Sequence, residues 1–235
     1  MEKKGTPYRA PNTNEQEGKE TMQLLYKLTR PGPPNHRRGV ITSLRGLAPK
    51  RSVTCEESIR ITERQADLMV KRATQLGGPL LPVSEKALSQ TARIRVEYTN
   101  QRVTGYHVWD KRRRQWLIQL SASASQAEQR VALAIEFKSI LDTGRLRHLY
   151  TSSYVDILEQ ADRAGIHFAA CFFVPVHLLK HAWSQGIRTV TGLARLFDVS
   201  EDIIRLRLWT TGLKPKRAHQ NPLPCGYFST ERSFA

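Results

Sequence analysis

The longest uninterrupted pattern of apolar positions in the chain runs from Gln126 to Leu141. Apolar residues recur there at helical spacing, and neither glycine nor proline interrupts them. Ser125 precedes the segment and Glu128 follows it by three residues, which is the spacing of a capping box. The pattern therefore predicts a buried helix that begins after Ser125 and ends at Thr143 and Gly144.

Three short segments before this helix alternate between apolar and polar positions, as half-buried strands do. They cover Ile94–Tyr98, Val103–Trp109 and Trp116–Leu120. Because three short strands follow one another directly, the sequence predicts a small three-stranded antiparallel sheet.

Helical patterns flank this region on both sides. Upstream, residues 56–76 follow Thr54, and Glu57 completes a second capping-box spacing; residues 83–92 form another predicted helix. Downstream, the predicted helices cover 155–173, 175–183, 189–197 and 200–211. The chain is therefore predicted to be α+β and mainly helical.

The last two predicted helices have the pattern of a helix-turn-helix pair. Asp198 occupies the turn, where such motifs often have glycine. The apolar residues predicted to point inward from the second helix are Ile203, Ile204 and Leu208. Arg205 and Arg207 are then predicted to face outward, toward phosphates or base edges. A structural pair that makes no DNA contact is the alternative.

Charge changes this picture, because 37 Lys and Arg against 21 Asp and Glu give a formal net charge of +16. Such an excess favours polyanionic partners, either nucleic acid or an acidic protein. The candidate nucleic-acid contacts are Arg37, Arg38, Lys50, Arg51, Lys111, Arg112, Arg113, Arg114, Arg205, Arg207, Lys214, Lys216 and Arg217. A solvated tether near residues 30–51 and a merely exposed hairpin tip at 111–114 are the alternatives.

Cysteine content and the N-terminal residues bear on the compartment. Cys55, Cys171 and Cys225 are scattered, which argues against a disulfide framework and fits a reducing cytoplasm. The first twenty residues lack the apolar core of a signal peptide, and no apolar run approaches membrane-spanning length. We therefore expect a cytoplasmic protein without a membrane partner.

The centre of the long apolar helix, residues 135–139, reads IEFKS. In zinc peptidases with the motif HExxH, two histidines on one helical face ligate zinc and the glutamate activates the metal-bound water. Glu136 is retained here, but Ile135 and Ser139 replace the two histidines. Isoleucine cannot ligate a metal, and serine is a poor substitute for imidazole. We therefore expect no zinc at this motif.

A carboxylate on an apolar helix needs a partner, because burial otherwise raises its pKa. Arg130 and Lys138 are the nearby candidate partners of Glu136, and a structural ion pair is the favoured role.

Taken together, these segments resemble the ImmA/IrrE family of zinc metallopeptidases. The residues that carry the resemblance lie between Ile59 and Leu213 and are Leu133–Phe137 with Ile140 and Leu141, Phe168–Ala170 with Val174 and Pro175, and Leu193–Ser200 with Ile204–Leu208. The resemblance implies a zincin-like domain at 55–186, with a helix-turn-helix-like pair at 187–213 packed on it. Residues 1–54 would be a basic, largely disordered extension with a possible short helix, and 214–235 a basic tail.

The resemblance also assigns roles to individual positions. In the family, the motif helix supplies two zinc ligands and the general base, and a glutamate on the following helix supplies the third ligand. Glu136 falls at the base position, and Asp162 falls close to the third-ligand position. The family's Ala-Asn step reads Gly165-Ile166 here. Two of three ligands are thus replaced, which should abolish tight zinc binding.

Histidines elsewhere are the possible replacements for the lost ligands. His148, His167, His177 and His181 follow the central helix. His177 and His181 are four residues apart and share a helix face, but no acidic ligand stands beside them, so a surface or core role is favoured. His167 is expected to be packed or exposed rather than ligating.

Family members typically cleave a repressor protein, some are thought to sense rather than cut, and many belong to bacterial mobile elements. The resemblance therefore implies a transcription-regulatory protein. We predict a catalytically inactive member without a cofactor that binds nucleic acid, a repressor-type protein, or both. One alternative is an active zinc endopeptidase with a rebuilt site, in which Glu136 is the base and Asp162 with one or two displaced histidines supplies the ligands. Another is a structural subunit that holds a peptide without cutting it.

Overall fold

The computed structural model describes residues 39–100, 104–150 and 154–214. Within these ranges the elements, in chain order, are α1 Val40–Arg45, α2 Cys55–Gln75, α3 Lys86–Ser89, β1 Ile94–Thr99, β2 Gly105–Asp110, β3 Gln115–Ser121, α4 Gln126–Asp142, α5 Leu146–Leu149, α6 Tyr154–Phe173, α7 Val176–Ser184, α8 Val190–Phe197 and α9 Glu201–Thr211. The chain is thus mainly helical with one small sheet, as the sequence predicts.

Both predicted capping boxes are present. The Thr54 hydroxyl accepts from the Glu57 backbone N–H, and the Glu57 carboxylate accepts from the Thr54 N–H, so that α2 begins at Cys55. Ser125 and Glu128 make the same reciprocal pair at the start of α4. These contacts satisfy backbone donors that the first turn of a helix leaves unpaired.

The sheet has the order β1–β3–β2, in which β2 and β3 are antiparallel but β1 and β3 are parallel. The prediction of a wholly antiparallel sheet was therefore wrong. The reason lies in β3, which is the most apolar strand and buries Ile118 and Leu120 completely. This strand takes the centre, where it has a hydrogen-bonding neighbour on each side, and β1 and β2 become the edges.

Helix α4 packs against β2 and β3 and also against α6, which in turn packs against α2 and α9. The interior between these helices is aromatic. Phe137, Phe168 and Phe172 are fully buried. The ring of Phe168 lies 6.0 Å from that of Phe137 and 6.2 Å from that of Phe172, measured between centroids. Burial of each such side chain contributes about 1.5–3 kcal/mol. This core fixes the relative positions of the helix with the peptidase-like motif and of its neighbours.

Two segments differ from the sequence prediction. Of the predicted helix at 83–92, only Lys86–Ser89 is helical. The expected basic linker before residue 51 contains helix α1, in which Leu44 is buried. Arg45 donates to the carbonyls of Ile140 (2.6 Å) and Leu141 (3.2 Å) at the end of α4. Tertiary contacts therefore stabilise α1, which is too short to be recognised by periodicity.

The last two helices form the predicted pair. Asp198 adopts the left-handed conformation (φ 51°) between them, and Gly212 does so (φ 70°) after α9. Ile203, Ile204 and Leu208 are buried, as predicted. In the described part of the chain, no helix combines the length and apolar character that a membrane span requires.

Candidate functional site

Ile135 lies at the interface between α4 and α6, at the position where the resemblance places the first histidine. A Cβ atom added to Gly165 on α6 would lie 3.0 Å from Ile135 Cγ2 and 3.6 Å from its Cα. The two helices approach this closely because Gly165 has no side chain. At this position the helices therefore meet through hydrocarbon and backbone.

Glu136 is buried, with 3% of its surface exposed. Its Oε2 lies 2.7 Å from Nδ1 of His107 on β2. The ring of Trp116 packs edge-on against that imidazole, with centroids 5.6 Å apart. A Cβ at Gly105 would lie 3.3 Å from Glu136 Cγ, so the glycine gives the glutamate side chain space. The glutamate that the resemblance places at the family's base position is thus hydrogen-bonded to an imidazole from the sheet.

The sequence did not identify His107 as a partner, because 29 residues separate it from Glu136. The useful signal was the alternation of β2, which places Gly105, His107 and Trp109 on one face. These three residues pair with Leu120, Ile118 and Trp116 of β3, two of which are core residues. The shared face therefore points toward α4.

The two cations predicted as candidate partners of Glu136 bind other groups, and Lys138 belongs to a buried cluster. Its Nζ lies 2.6 and 2.7 Å from the two carboxylate oxygens of Asp142, and the Tyr150 hydroxyl donates to the same carboxylate at 2.6 Å. All three side chains are buried. Burial lowers the pKa of Lys138 and raises that of Tyr150. This cluster stabilises the C-terminal half of α4.

Arg130 connects three parts of the structure. Its guanidinium donates to the Val83 carbonyl at 2.6 Å and to the Asp198 carbonyl at 2.7 Å, and it also binds the Asp198 carboxylate. It lies over the ring of Phe173, 4.6 Å from the centroid. Arg130 therefore holds the turn between α8 and α9 against α4.

The histidines considered as replacement ligands do not gather around Glu136. His148, His177 and His181 are exposed. His167 on α6 is partly buried, with its Nε2 3.3 Å from Glu63 Oε1 and 3.6 Å from Cys171 Sγ. Glu63, His167 and Cys171 form a group whose ligand atoms converge, as a metal site requires. Within the described residues, neither Glu136 nor Asp162 belongs to such a group. The spacing of four between His167 and Cys171 was the sequence signal for it.

The four cations of the hairpin, Lys111–Arg114, are all exposed. Asp110 Oδ1 accepts from the backbone N–H groups of Arg112 (2.9 Å) and Arg113 (3.0 Å), and Arg114 is left-handed (φ 52°). None of the four side chains forms an ion pair with another described residue. The turn is thus a structured cationic tip.

Tryptophans lie at the base of this tip. Trp109 and Trp116 pair across the strands with ring centroids 5.3 Å apart, and Trp109 is 37% exposed. The two tryptophans that flank the basic turn in the sequence therefore lie together at the end of the strands that the turn connects.

The other candidate cations fall into four groups. Arg207 is buried and donates to the Val174 carbonyl at 2.8 Å, so the prediction that it faces outward was wrong. Arg205 binds Glu201 and Asp202, and Arg51 binds Glu57. Lys50 and Lys214 are exposed and form no ion pair with a described residue. Arg37, Arg38, Lys216 and Arg217 lie outside the described residues.

Comparison with known proteins gives the family of this fold. Residues 89–208 match the family described as the IrrE N-terminal-like domain. No curated protein matches the chain. The match covers just over half of the 235 residues and extends from the end of α3 through the sheet, α4 and α6 into α9. The chain therefore belongs to the ImmA/IrrE family, through its IrrE N-terminal-like domain.

Proposed function

We propose that this protein is a catalytically inactive member of its family that acts by binding, and that its hairpin tip contacts nucleic acid. The observation that carries the first part is the packing of Ile135 against Gly165 beside Glu136. A catalytic zinc site needs three protein ligands and an open fourth position. Hydrocarbon at one ligand position and Ser139 at another do not supply them.

The state of Glu136 agrees with this proposal. A general base in a zinc peptidase must reach a metal-bound water. Here the carboxylate is buried and lies 2.7 Å from His107, which is a hydrogen-bonding distance. We propose that this contact is structural and attaches β2 to α4.

The hairpin supports the second part of the proposal. Lys111–Arg114 place four exposed positive charges within one turn whose backbone Asp110 already orders. An ordered loop loses less conformational entropy on binding than a flexible one does. Phosphate groups are the natural ligands for such a cluster, and the partly exposed Trp109 offers a surface on which a base can stack.

The test compares three forms of the full chain in binding to fluorescently labelled single- and double-stranded DNA over a salt series. The first is the natural sequence. In the second, Lys111, Arg112, Arg113 and Arg114 are each replaced by Gln. In the matched control, four exposed cations elsewhere are replaced by Gln, namely Arg64, Lys86, Lys180 and Arg195. Both variants lose the same net charge.

We expect the hairpin variant to bind at least about tenfold more weakly than the control. Its log Kd should also depend less steeply on log salt, by about 0.9 for each phosphate of duplex DNA that the variant no longer neutralises. Equal losses of affinity in both variants would show that only overall charge matters. No DNA binding by the natural sequence, together with hairpin-dependent binding of an acidic repressor-type protein, would move the proposal to a protein partner.

One observation favours the alternative of an active zinc endopeptidase, namely the imidazole of His107 beside Glu136. The measurement is cleavage of a peptide library by the zinc-supplemented chain, with Glu136→Gln as the control. Cleavage that disappears in this variant would establish the enzyme and contradict our proposal. We expect no cleavage from either protein.

A further inference from the structure

A second group of polar side chains lies between α2 and α6. Glu63 comes from α2, and His167 and Cys171 come from consecutive turns of α6. The distance from His167 Nε2 to Glu63 Oε1 is 3.3 Å, and that to Cys171 Sγ is 3.6 Å. One ligand atom from each residue lies within 4.8 Å of the other two.

These residue types also occur in cysteine hydrolases, but the geometry is different. There the histidine uses one ring nitrogen toward the nucleophile and the other toward the carboxylate. Here the carboxylate and the thiol both approach Nε2 of His167. Cys171 is 1% exposed, and burial raises the pKa of its thiol to about 12. A nucleophile must be accessible and ionised, so this group is not a nucleophilic site.

We propose that Glu63, His167 and Cys171 bind a divalent transition-metal ion of the zinc class. Zinc takes imidazole nitrogen and carboxylate oxygen at about 2.0–2.2 Å and thiolate sulfur at about 2.3 Å. Tetrahedral geometry then separates nitrogen from oxygen by about 3.3 Å and nitrogen from sulfur by about 3.6 Å. The two separations that involve His167 Nε2 thus match a coordination shell, and the Glu63 oxygen and the Cys171 sulfur lie within 4.8 Å of each other. Because nitrogen, oxygen and sulfur donors are combined, zinc is favoured over magnesium or calcium.

The surrounding charges are suited to a dication. Asp67 lies one turn beyond Glu63 on α2, and its negative charge acts on Cys171. Arg207 contributes a positive charge to the same region and opposes the effect of burial on the Cys171 pKa. When the metal–sulfur bond forms, the thiol proton leaves to solvent. Glu63, Asp67 and the thiolate then supply negative charge to the dication, against the positive charges of Arg207, Lys71 and Lys138 nearby.

The site is reached from the side of Glu63, whose side chain is 44% exposed, whereas His167 is 15% exposed and Cys171 lies at the bottom. It is separate from the peptidase-like motif, because Gly165 directs another face of α6 toward Ile135 on α4. With three protein ligands, a fourth position is left for water or for a partner's side chain.

The experiment uses the full chain without an affinity tag, stripped of metal with a chelator. Co²⁺ alone is then titrated as a spectroscopic probe, followed by competition with Zn²⁺ alone. We expect one Co²⁺ per chain, with the absorption band of a cobalt–thiolate bond, and displacement by one Zn²⁺. Cys171→Ser should remove this band. Glu63→Gln and His167→Gln should each weaken binding at least about tenfold.

Three controls make the result specific. Cys55→Ser and Cys225→Ser replace the other two cysteines and should leave the band unchanged. Glu136→Gln should leave it unchanged as well, and dependence on Glu136 would indicate a rebuilt peptidase site instead. Glu63 is half-exposed, so Glu63→Gln tests the site even if Cys171→Ser fails to fold. Absence of the band in the natural sequence, or its persistence in Cys171→Ser, would overturn the proposal.

This test is independent of the hairpin. The variant that lacks the charges of Lys111–Arg114 should bind cobalt as the natural sequence does. Loss of DNA binding and loss of metal binding therefore report on different residues.

Discussion

Two contacts between a glutamate and a histidine differ in a way that separates a structural pair from a candidate metal site. Glu136 is buried and lies 2.7 Å from His107, and no converging third ligand is found there among the described residues. Glu63 is half-exposed and lies 3.3 Å from His167, whose same nitrogen also faces Cys171. Helix α4 carries Glu136, and the resemblance places Ile135 and Ser139 at the two histidine positions beside it, whereas α2 and α6 bring three possible metal donors together. Convergence of ligand atoms, rather than sequence position, decides which contact can hold an ion.

The largest effect is expected on the α4 side, where polar groups hold the structure together. Asp142→Ala leaves Lys138 buried without its carboxylate partner, which should lower the free energy of unfolding by about 3–5 kcal/mol. Urea denaturation measures this loss. The triple variant Lys138→Met, Asp142→Leu, Tyr150→Phe removes the whole polar cluster and should recover most of it. A loss below about 1 kcal/mol for Asp142→Ala would contradict the structural role.

A smaller effect is expected at Ile135, where the resemblance places the family's first metal ligand. Gly165→Ala adds a methyl group 3.0 Å from Ile135 Cγ2, on a side chain whose rotamer is restricted in a helix. Overpacking of about 1–3 kcal/mol should exceed the gain of about 1 kcal/mol in helix propensity. The net result is a destabilisation of about 1 kcal/mol.

Ile135→Ala provides the matched test of that contact. In a double-mutant cycle, the double variant should be more stable, by about 1 kcal/mol in the free energy of unfolding, than the sum of the two single effects. The reason is that the methyl group introduced by Gly165→Ala has space once Ile135 is shortened. Simple additivity would show that Ile135 and Gly165 do not press against each other, and the argument for a site filled by hydrocarbon would fail.

The smallest effect concerns the start of α2, the helix that supplies Glu63. Arg51 and the Thr54 backbone lower the pKa of Glu57 to about 2, from an ordinary value of 4.5. The stabilisation from this carboxylate is complete above pH 4.5 and is lost as the pH falls toward 2. Glu57→Gln should therefore reduce the acid sensitivity of unfolding in this window, as urea denaturation at a series of pH values would measure.

The neighbouring Glu56→Gln serves as the control, because it removes a charge and leaves the capping box intact. Neither variant should change cobalt binding at neutral pH, since neither alters a proposed ligand. If Glu57→Gln abolished cobalt binding, the metal proposal could not be separated from the position of α2 as a whole.

Local signals in the sequence predicted much of this fold. The caps at Thr54 and Ser125 and the turn at Asp198 depend on neighbours within a few residues, and each was predicted correctly. The sheet order was not predictable in this way, because it depends on β3 being buried more deeply than β1 and β2. Helix α1 was missed because its stability comes from contacts of Leu44 and Arg45 with distant parts of the chain.

The site was predicted only in part, for the same physical reason. The assignment of Ile135 and Ser139 to the two histidine positions rests on the resemblance and stays a prediction. The contact of His107 with Glu136 required the packing of β2 on α4, and the approach of Glu63 required that of α2 on α6. The outward direction assigned to Arg207 failed because α9 turns that side chain toward the Val174 carbonyl.

The guanidinium of Arg130 joins the final helix pair to the rest of the domain. It binds the backbone before α3 and both the backbone and side chain of Asp198, so the final helix pair shares its hydrogen bonds with the central helix. Leu193 and Phe197 of that pair are also fully buried. The pair is therefore packed into the domain and is not a separate module. We therefore expect the pair to unfold together with the rest of the domain.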